Sequence, residues 1–120
     1  MATDGGGRKG RILAESEGLS VTYAIRPGGE SVASPHVHRH TEAFYVLEGE
    51  LTFEVGTGTV TLGPGGFVAV PPGVPHAYGT AGDWPARWLV IHAPDGGFAE
   101  FMRGRVEGVD VEWDVESVSG

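Results

Sequence analysis

Turn-forming residues cut this chain about every ten residues, and that spacing restricts its fold more than any other property. Arg26-Pro27-Gly28-Gly29, Glu48-Gly49-Glu50, Gly56-Thr57-Gly58, Gly63-Pro64-Gly65-Gly66, Pro71-Pro72-Gly73-Val74-Pro75 and the Ala81 to Pro85 turn each separate short runs rich in Val, Thr, Phe and Tyr. Proline presets φ and glycine tolerates positive φ, so such clusters mark tight turns. The 21 glycines and 8 prolines make up about a quarter of the chain, near the level at which disorder is considered. Their placement between β-prone runs points instead to an all-β sandwich or barrel.

The runs themselves read as strands. Val21, Tyr23 and Ile25 alternate with polar or small residues, and Ser31 to His38 is a second extended piece. Ala43 to Leu47 is strongly apolar. Leu51, Phe53 and Val55 follow, then Thr59 to Leu62, Phe67 to Val70, His76 to Thr80 and Arg87 to His92. Residues 1–16 read as a flexible leader and 17–120 as a single barrel domain, the size of one core. Trp84, in the turn between Asp83 and Pro85, is expected to cover a barrel end. Gly97 to Arg105, with Phe98, Phe101 and Met102 at helical spacing, predicts one short helix or turn. Val109, Val111, Trp113 and Val115 then alternate with Asp110, Glu112, Asp114 and Glu116. That pattern predicts a half-buried strand with a solvated acidic face, pairing on its own barrel or on a partner subunit.

A formal charge of −8 with a single lysine argues against nucleic acid and against anionic membrane surfaces. The absence of cysteine removes disulfides, thiolate metal sites and cysteine nucleophiles. Met1 to Ser16 has no apolar run fit for a signal peptide, and no segment approaches a membrane-spanning length, so a soluble cytoplasmic protein is expected. With no Asn or Gln, polar contacts to a ligand must come from hydroxyls, imidazoles, guanidinium groups, carboxylates or backbone. No serine-histidine-aspartate arrangement or phosphate-binding glycine loop stands out.

Three histidines and a glutamate carry the chemistry. His36 and His38 are two apart, so on a strand they share a face and can reach one ion. Glu42 starts the next run after a short turn, and His76 follows a turn that would bring a later strand alongside. Imidazole nitrogen and carboxylate oxygen suit a divalent transition metal, and three neutral imidazoles with one carboxylate leave a net +1 site with open positions. A structural zinc site would instead be closed at four ligands and rich in thiolate.

At these residues the chain resembles the cupin superfamily, in particular its small single-domain, quercetinase-like members. The first cupin motif is matched by His36-Val37-His38, three residues, Glu42, six residues and Gly49; the leading Gly29 is displaced by one, with six residues before His36. The second is matched by Gly65, Pro71-Pro72-Gly73 and His76, with Thr80 where the family has asparagine. Fifteen residues, Glu50 to Pro64, separate the motifs. The resemblance implies a double-stranded β-helix, a jelly-roll-like barrel, with a short helix near the C-terminus. It also implies one divalent metal ion (Fe, Mn, Ni, Cu, Co or Zn) held by His36, His38, Glu42 and His76.

Strand parity turns Phe44 and Val46 with Glu42, and Tyr78 and Thr80 with His76, making them candidate pocket walls beside Trp88 and His92. For Phe44 and Val46 ordinary barrel core is the favoured reading. Tyr78 is the more interesting, because a buried phenol could donate to a bound substrate or oxygen. His40 is expected to face solvent or support a ligand from outside, and His92 to be a surface or satisfied core histidine. The resemblance implies a metalloenzyme acting on a small enolisable, aromatic or carboxylate substrate, dioxygenase-like chemistry first, with Glu42 and Tyr78 as catalytic candidates. The alternatives are a non-oxidative isomerase, cyclase, lyase or decarboxylase, and a non-catalytic ligand-binding or sensor module. A homodimer is expected.

Overall fold

A computed structural model describes residues 2–3, 9–29, 32–107 and 114–117. The described strands are β1 Ala2–Thr3, β2 Lys9–Ser16, β3 Leu19–Arg26, β4 His36–Val37, β5 Thr41–Glu48, β6 Leu51–Val55, β7 Gly58–Leu62, β8 Phe67–Val70, β9 His76–Thr80, β10 Ala86–Ala93 and β11 Glu116–Ser117. Among the described residues one helix, α1 Phe98–Glu107, lies between β10 and β11. The strands form two antiparallel sheets, in the order β1-β2-β3-β10-β5-β8 and β11-β4-β9-β6-β7. This is an all-β, jelly-roll-like arrangement: the turn spacing implies its all-β character and the family resemblance its jelly roll. No described helix is long and apolar enough to cross a membrane.

Alternation places the core between the sheets. Phe44 and Val46 of β5, Leu51 and Phe53 of β6, Val70 of β8, and Ala86, Trp88 and Val90 of β10 form one buried cluster. Burying a Val, Leu or Phe side chain stabilises by roughly 1.5–3 kcal/mol. The turns close where backbone meets backbone. Gly49 has φ +77°, and a Cβ there would stand 2.4 Å from the Pro85 carbonyl oxygen. Only glycine lets the β5–β6 turn lie against the start of β10.

Three readings of the sequence change, and a fourth is met in part. Lys9–Ser16, expected within a flexible leader, is strand β2 and pairs along β3 from Lys9↔Ile25 to Ser16↔Leu19. Its charges and small residues hide it because a ladder is held by backbone hydrogen bonds, whatever the side chains. Of the expected extended piece Ser31 to His38, Ser31 lies outside the described residues and the rest holds only β4, a two-residue strand. Trp84 is 78% exposed and covers no barrel end: the backbone of its turn packs on the 27–29 turn while the indole stays in solvent. Of the alternating C-terminal stretch, residues 109–113 lie outside the described residues. Glu116–Ser117 pairs with Val37 and His36 of its own barrel. The predicted helix is present, entered through Asp95, whose carboxylate accepts from the Gly97 and Ala99 amides at 3.1 Å each.

Candidate metal centre

Sheet register assembles the four candidate ligands. His36 lies directly opposite His76 across β4 and β9. Glu42 on β5 lies opposite His92 on β10. His38 leaves the end of β4 on the same side as His36, with the two rings 4.9 Å apart. The rings of His36 and His76 are 4.4 Å apart, and those of His38 and His76 5.1 Å. One ligand atom from each of His36, His38, Glu42 and His76 lies within 4.8 Å of all the others, a grouping that could hold a metal ion. His38, Glu42 and His76 are buried and His36 is half-buried, so the cluster has one more open side.

The hydrogen bonds around the rings favour a cation. His38 Nδ1 lies 2.5 Å from the Asp114 carbonyl oxygen, and His76 Nδ1 lies 3.0 Å from that of Val74. The His36 ring bonds to the backbone of Ser34. A carbonyl only accepts, so each Nδ1 of His38 and His76 carries the hydrogen and each Nε2 is left with its lone pair. Both Nε2 atoms point at Oε1 of Glu42, at 3.1 Å from His38 and 2.6 Å from His76. Lone pairs of nitrogen and a carboxylate oxygen converge there, as they do around a divalent ion whose histidine ligands are oriented from behind by carbonyls. The residues present fit such an ion.

Electrostatics agree. Burial pushes the Glu42 carboxyl up, but the close approach of the His38 and His76 rings outweighs it and holds the group ionised, well below the usual carboxylate range. Burial, then the neighbouring His76, lowers His36 and favours the neutral imidazole that a metal needs. For His38 burial is outweighed by Glu42 and Asp114, and its affinity for a proton rises. Burial pushes His92 down to about 4.

The other expected site residues divide. Phe44, Val46 and Trp88 belong to the buried core cluster, and Thr80 is buried at the end of β9. Tyr78 is partly exposed and packs on that cluster, with ring centroids 5.2 Å from Phe44, 5.9 Å from Phe53 and 5.6 Å from Trp88. Arg26, buried on β3, sets its guanidinium 5.5 Å from the Tyr78 ring centroid. His40 does not face solvent. It is 3% exposed, and its short turn folds it back between Asp114 and His92. His92 is fully buried behind Glu42, with Phe98 of α1 stacked on its ring at 4.2 Å. Asp114 was the unforeseen participant; only inward parity of His92 hinted at this arrangement.

Residues 21–92 match the Cupin_2 family, described as Cupin domain. The chain belongs to the cupin family. This cupin is 34% identical over 67 residues to quercetin 2,3-dioxygenase of Bacillus subtilis (strain 168), covering 56% of its own length and 18% of that protein. It is 38% identical over 85 residues to germin-like protein subfamily T member 3 of Arabidopsis thaliana, 65% of this chain and 37% of that one. The chain therefore spans less than half the length of these curated relatives. The crystal structure of DMSP lyase DddQ from Ruegeria pomeroyi DSS-3 superposes with a TM-score of 0.64 at 32% identity, covering 73% of this chain and 47% of that one.

Proposed function

We propose that this cupin is a metal-dependent enzyme acting on a small enolisable, aromatic or carboxylate substrate, with dioxygenase-like chemistry. The carrying observation is the convergence of His36, His38, Glu42 and His76 within 4.8 Å, with the two Nδ1–H groups of His38 and His76 committed to carbonyls. One divalent transition ion held by these residues would supply a Lewis acid that polarises a substrate oxygen. His36, on the more open side, would set where the substrate approaches. Glu42, ionised and held from both sides, would accept a proton from an enolisable carbon or hydroxyl and return it. Tyr78 would present its phenol to the substrate from β9, backed by Phe44, Phe53 and Trp88. The likeness to a quercetin 2,3-dioxygenase and the aromatic surroundings of Tyr78 favour a ring-bearing substrate. We read the protein as a homodimer, testable by light scattering of the full chain.

Metal analysis of the purified protein, followed by oxygen-uptake assays on flavonols, diketones and small acids, tests this reading. Turnover that consumes oxygen and stops on metal removal is the expected result. The likeness to a DMSP lyase favours a second reading, a non-oxidative cupin reaction, in which a compound of the panel is consumed without oxygen uptake. Purification without metal, together with unchanged stability and ligand binding after replacing both His36 and His76, would sink both.

A further inference from the structure

Behind the four candidate ligands lies a second row of polar groups, and it starts at the C-terminal segment. Oδ2 of Asp114 is 2.7 Å from Nδ1 of His40, and Nε2 of His40 is 2.6 Å from Nδ1 of His92. Nε2 of His92 is 3.3 Å from Oε2 of Glu42, close enough to orient that oxygen when Nε2 carries the ring hydrogen. Glu42 is thus approached on both oxygens, Oε1 by His38 and His76 and Oε2 by His92. The main-chain carbonyl of the same Asp114 meets His38 Nδ1 at 2.5 Å.

The surroundings hold this row in place. Arg39 clamps the Asp114 carboxylate from the solvent side, through its amide at 2.7 Å and its Nε at 3.1 Å. The Asp114 amide donates to the Gly96 carbonyl at 2.8 Å. Gly96 has φ +66°, and a Cβ there would stand 2.5 Å from His40 Nδ1, so the chain passes the ring at a distance only glycine allows. Phe98 covers the face of His92. Burying two imidazoles costs desolvation that an apolar pair of the same shape would not. Where such a row ends on a ligand carboxylate, it orients that carboxylate.

We propose that Asp114, His40 and His92 are positioning residues of the metal centre. The row fixes Oε2 of Glu42 so that Oε1 faces the ion, and the Asp114 carbonyl fixes the ring of His38. The C-terminal segment thereby becomes part of the site and orients two of its four ligands. This rests on the metal-centre reading given above.

Side-chain geometry offers a discriminating test. A glutamine amide nitrogen stands near where histidine has Nε2, and an asparagine amide nitrogen near where it has Nδ1. His92→Gln therefore keeps a donor toward Glu42, whereas His92→Asn keeps only the contact with His40. Metal-free full-length protein is titrated with Co(II), reading dissociation constant and visible absorption, with thermal unfolding of the metal-free form followed alongside. Asp114→Ala and His92→Asn should bind Co(II) about 10–100-fold more weakly, with shifted absorption bands, while His92→Gln stays near the unmodified chain. If Asp114→Ala does not fold, the comparison of Asn with Gln decides alone. Equal affinity and spectrum in all variants, or equal losses for Asn and Gln, would overturn the positioning row while leaving the metal centre standing. Failure of the unmodified chain to bind Co(II) overturns the metal-centre reading and the row with it.

Discussion

Nε2 of His76 lies 2.6 Å from Oε1 of Glu42, and this contact needs something positive between the two atoms. The other ring nitrogen of His76 already gives its hydrogen to the Val74 carbonyl. Without a second hydrogen or a cation, two lone pairs would meet at hydrogen-bond distance. His38 makes the same demand on the same oxygen at 3.1 Å. Two protons would meet it by placing two imidazolium charges side by side in a buried cluster. One divalent ion meets it with a single group, which is why the contact favours a metal.

Replacing Glu42 by Gln keeps the shape and removes the charge, so metal affinity should fall about 100-fold or more, beyond what loss of a supporting hydrogen bond costs. An ion present at about 100 times its dissociation constant stabilises the folded chain by about 2.7 kcal/mol. Thermal unfolding with added Zn(II) or Co(II) should therefore show a metal-dependent rise in Tm for the unmodified protein and little for Glu42→Gln. A full rise in the variant would exclude Glu42 as a ligand.

Acid should weaken the metal-free protein between about pH 6.5 and pH 4. Burial lowers His92 from 6.5 to about 4, so over this range the unfolded chain binds a proton there that the folded chain does not. Stability then falls as pH drops through this window and is constant above it. The depressed His36 acts in the same direction, whereas the raised His38 contributes stability below 6.5 and opposes them. Glu42 adds its own loss only at lower pH, as its depressed carboxyl is approached. Fully expressed, the His92 contribution is about 3 kcal/mol. Urea unfolding at several pH values should show a steeper acid loss for the metal-free parent than for His92→Leu, and identical slopes would refute the assignment.

Gly49→Ala tests how the turn carries the site. The residue sits at φ +77°, and an added Cβ would meet Pro85 backbone 2.4 Å away, which a side-chain rotation cannot relieve. The left-handed backbone alone costs about 1–2 kcal/mol, and the clash adds to it. Denaturant unfolding should show a loss above about 2 kcal/mol, whereas Gly82→Ala, also at positive φ but with open space around it, should lose only the backbone part.

The grouping of the four candidate ligands was legible because local rules place it. A two-residue spacing puts His36 and His38 on one side, and the Pro-Pro-Gly turn returns the chain so that His76 pairs with His36. Inward parity of Phe44, Val46 and Trp88 was equally local. The Asp114–His40–His92 row was not, because its contacts span 74 and 52 residues and depend on register between β5 and β10 and on where the C-terminal segment crosses. Asp114 misled for a physical reason as well. Alternation names a face only inside a strand, and Asp114 lies in a bend before β11, where its carboxylate turns inward. In β2, pairing along β3 outweighed a weak side-chain pattern.

Tyr78→Phe separates packing from chemistry at the proposed substrate wall. The ring sits among Phe44, Phe53 and Trp88 and near the Arg26 guanidinium, while Arg26 Nη1 donates to the Tyr78 carbonyl at 3.2 Å. Phe keeps the aromatic ring, so it should preserve the ring stack and the affinity for Co(II). A phenol that donates to the substrate contributes in the range of general acid catalysis, about 10²–10⁴-fold. On whichever panel compound the parent consumes, Tyr78→Phe should lower kcat by that range with unchanged Tm and metal content. Turnover equal to the parent's would assign Tyr78 to packing alone and leave Glu42 as the only proton-handling group proposed for the site.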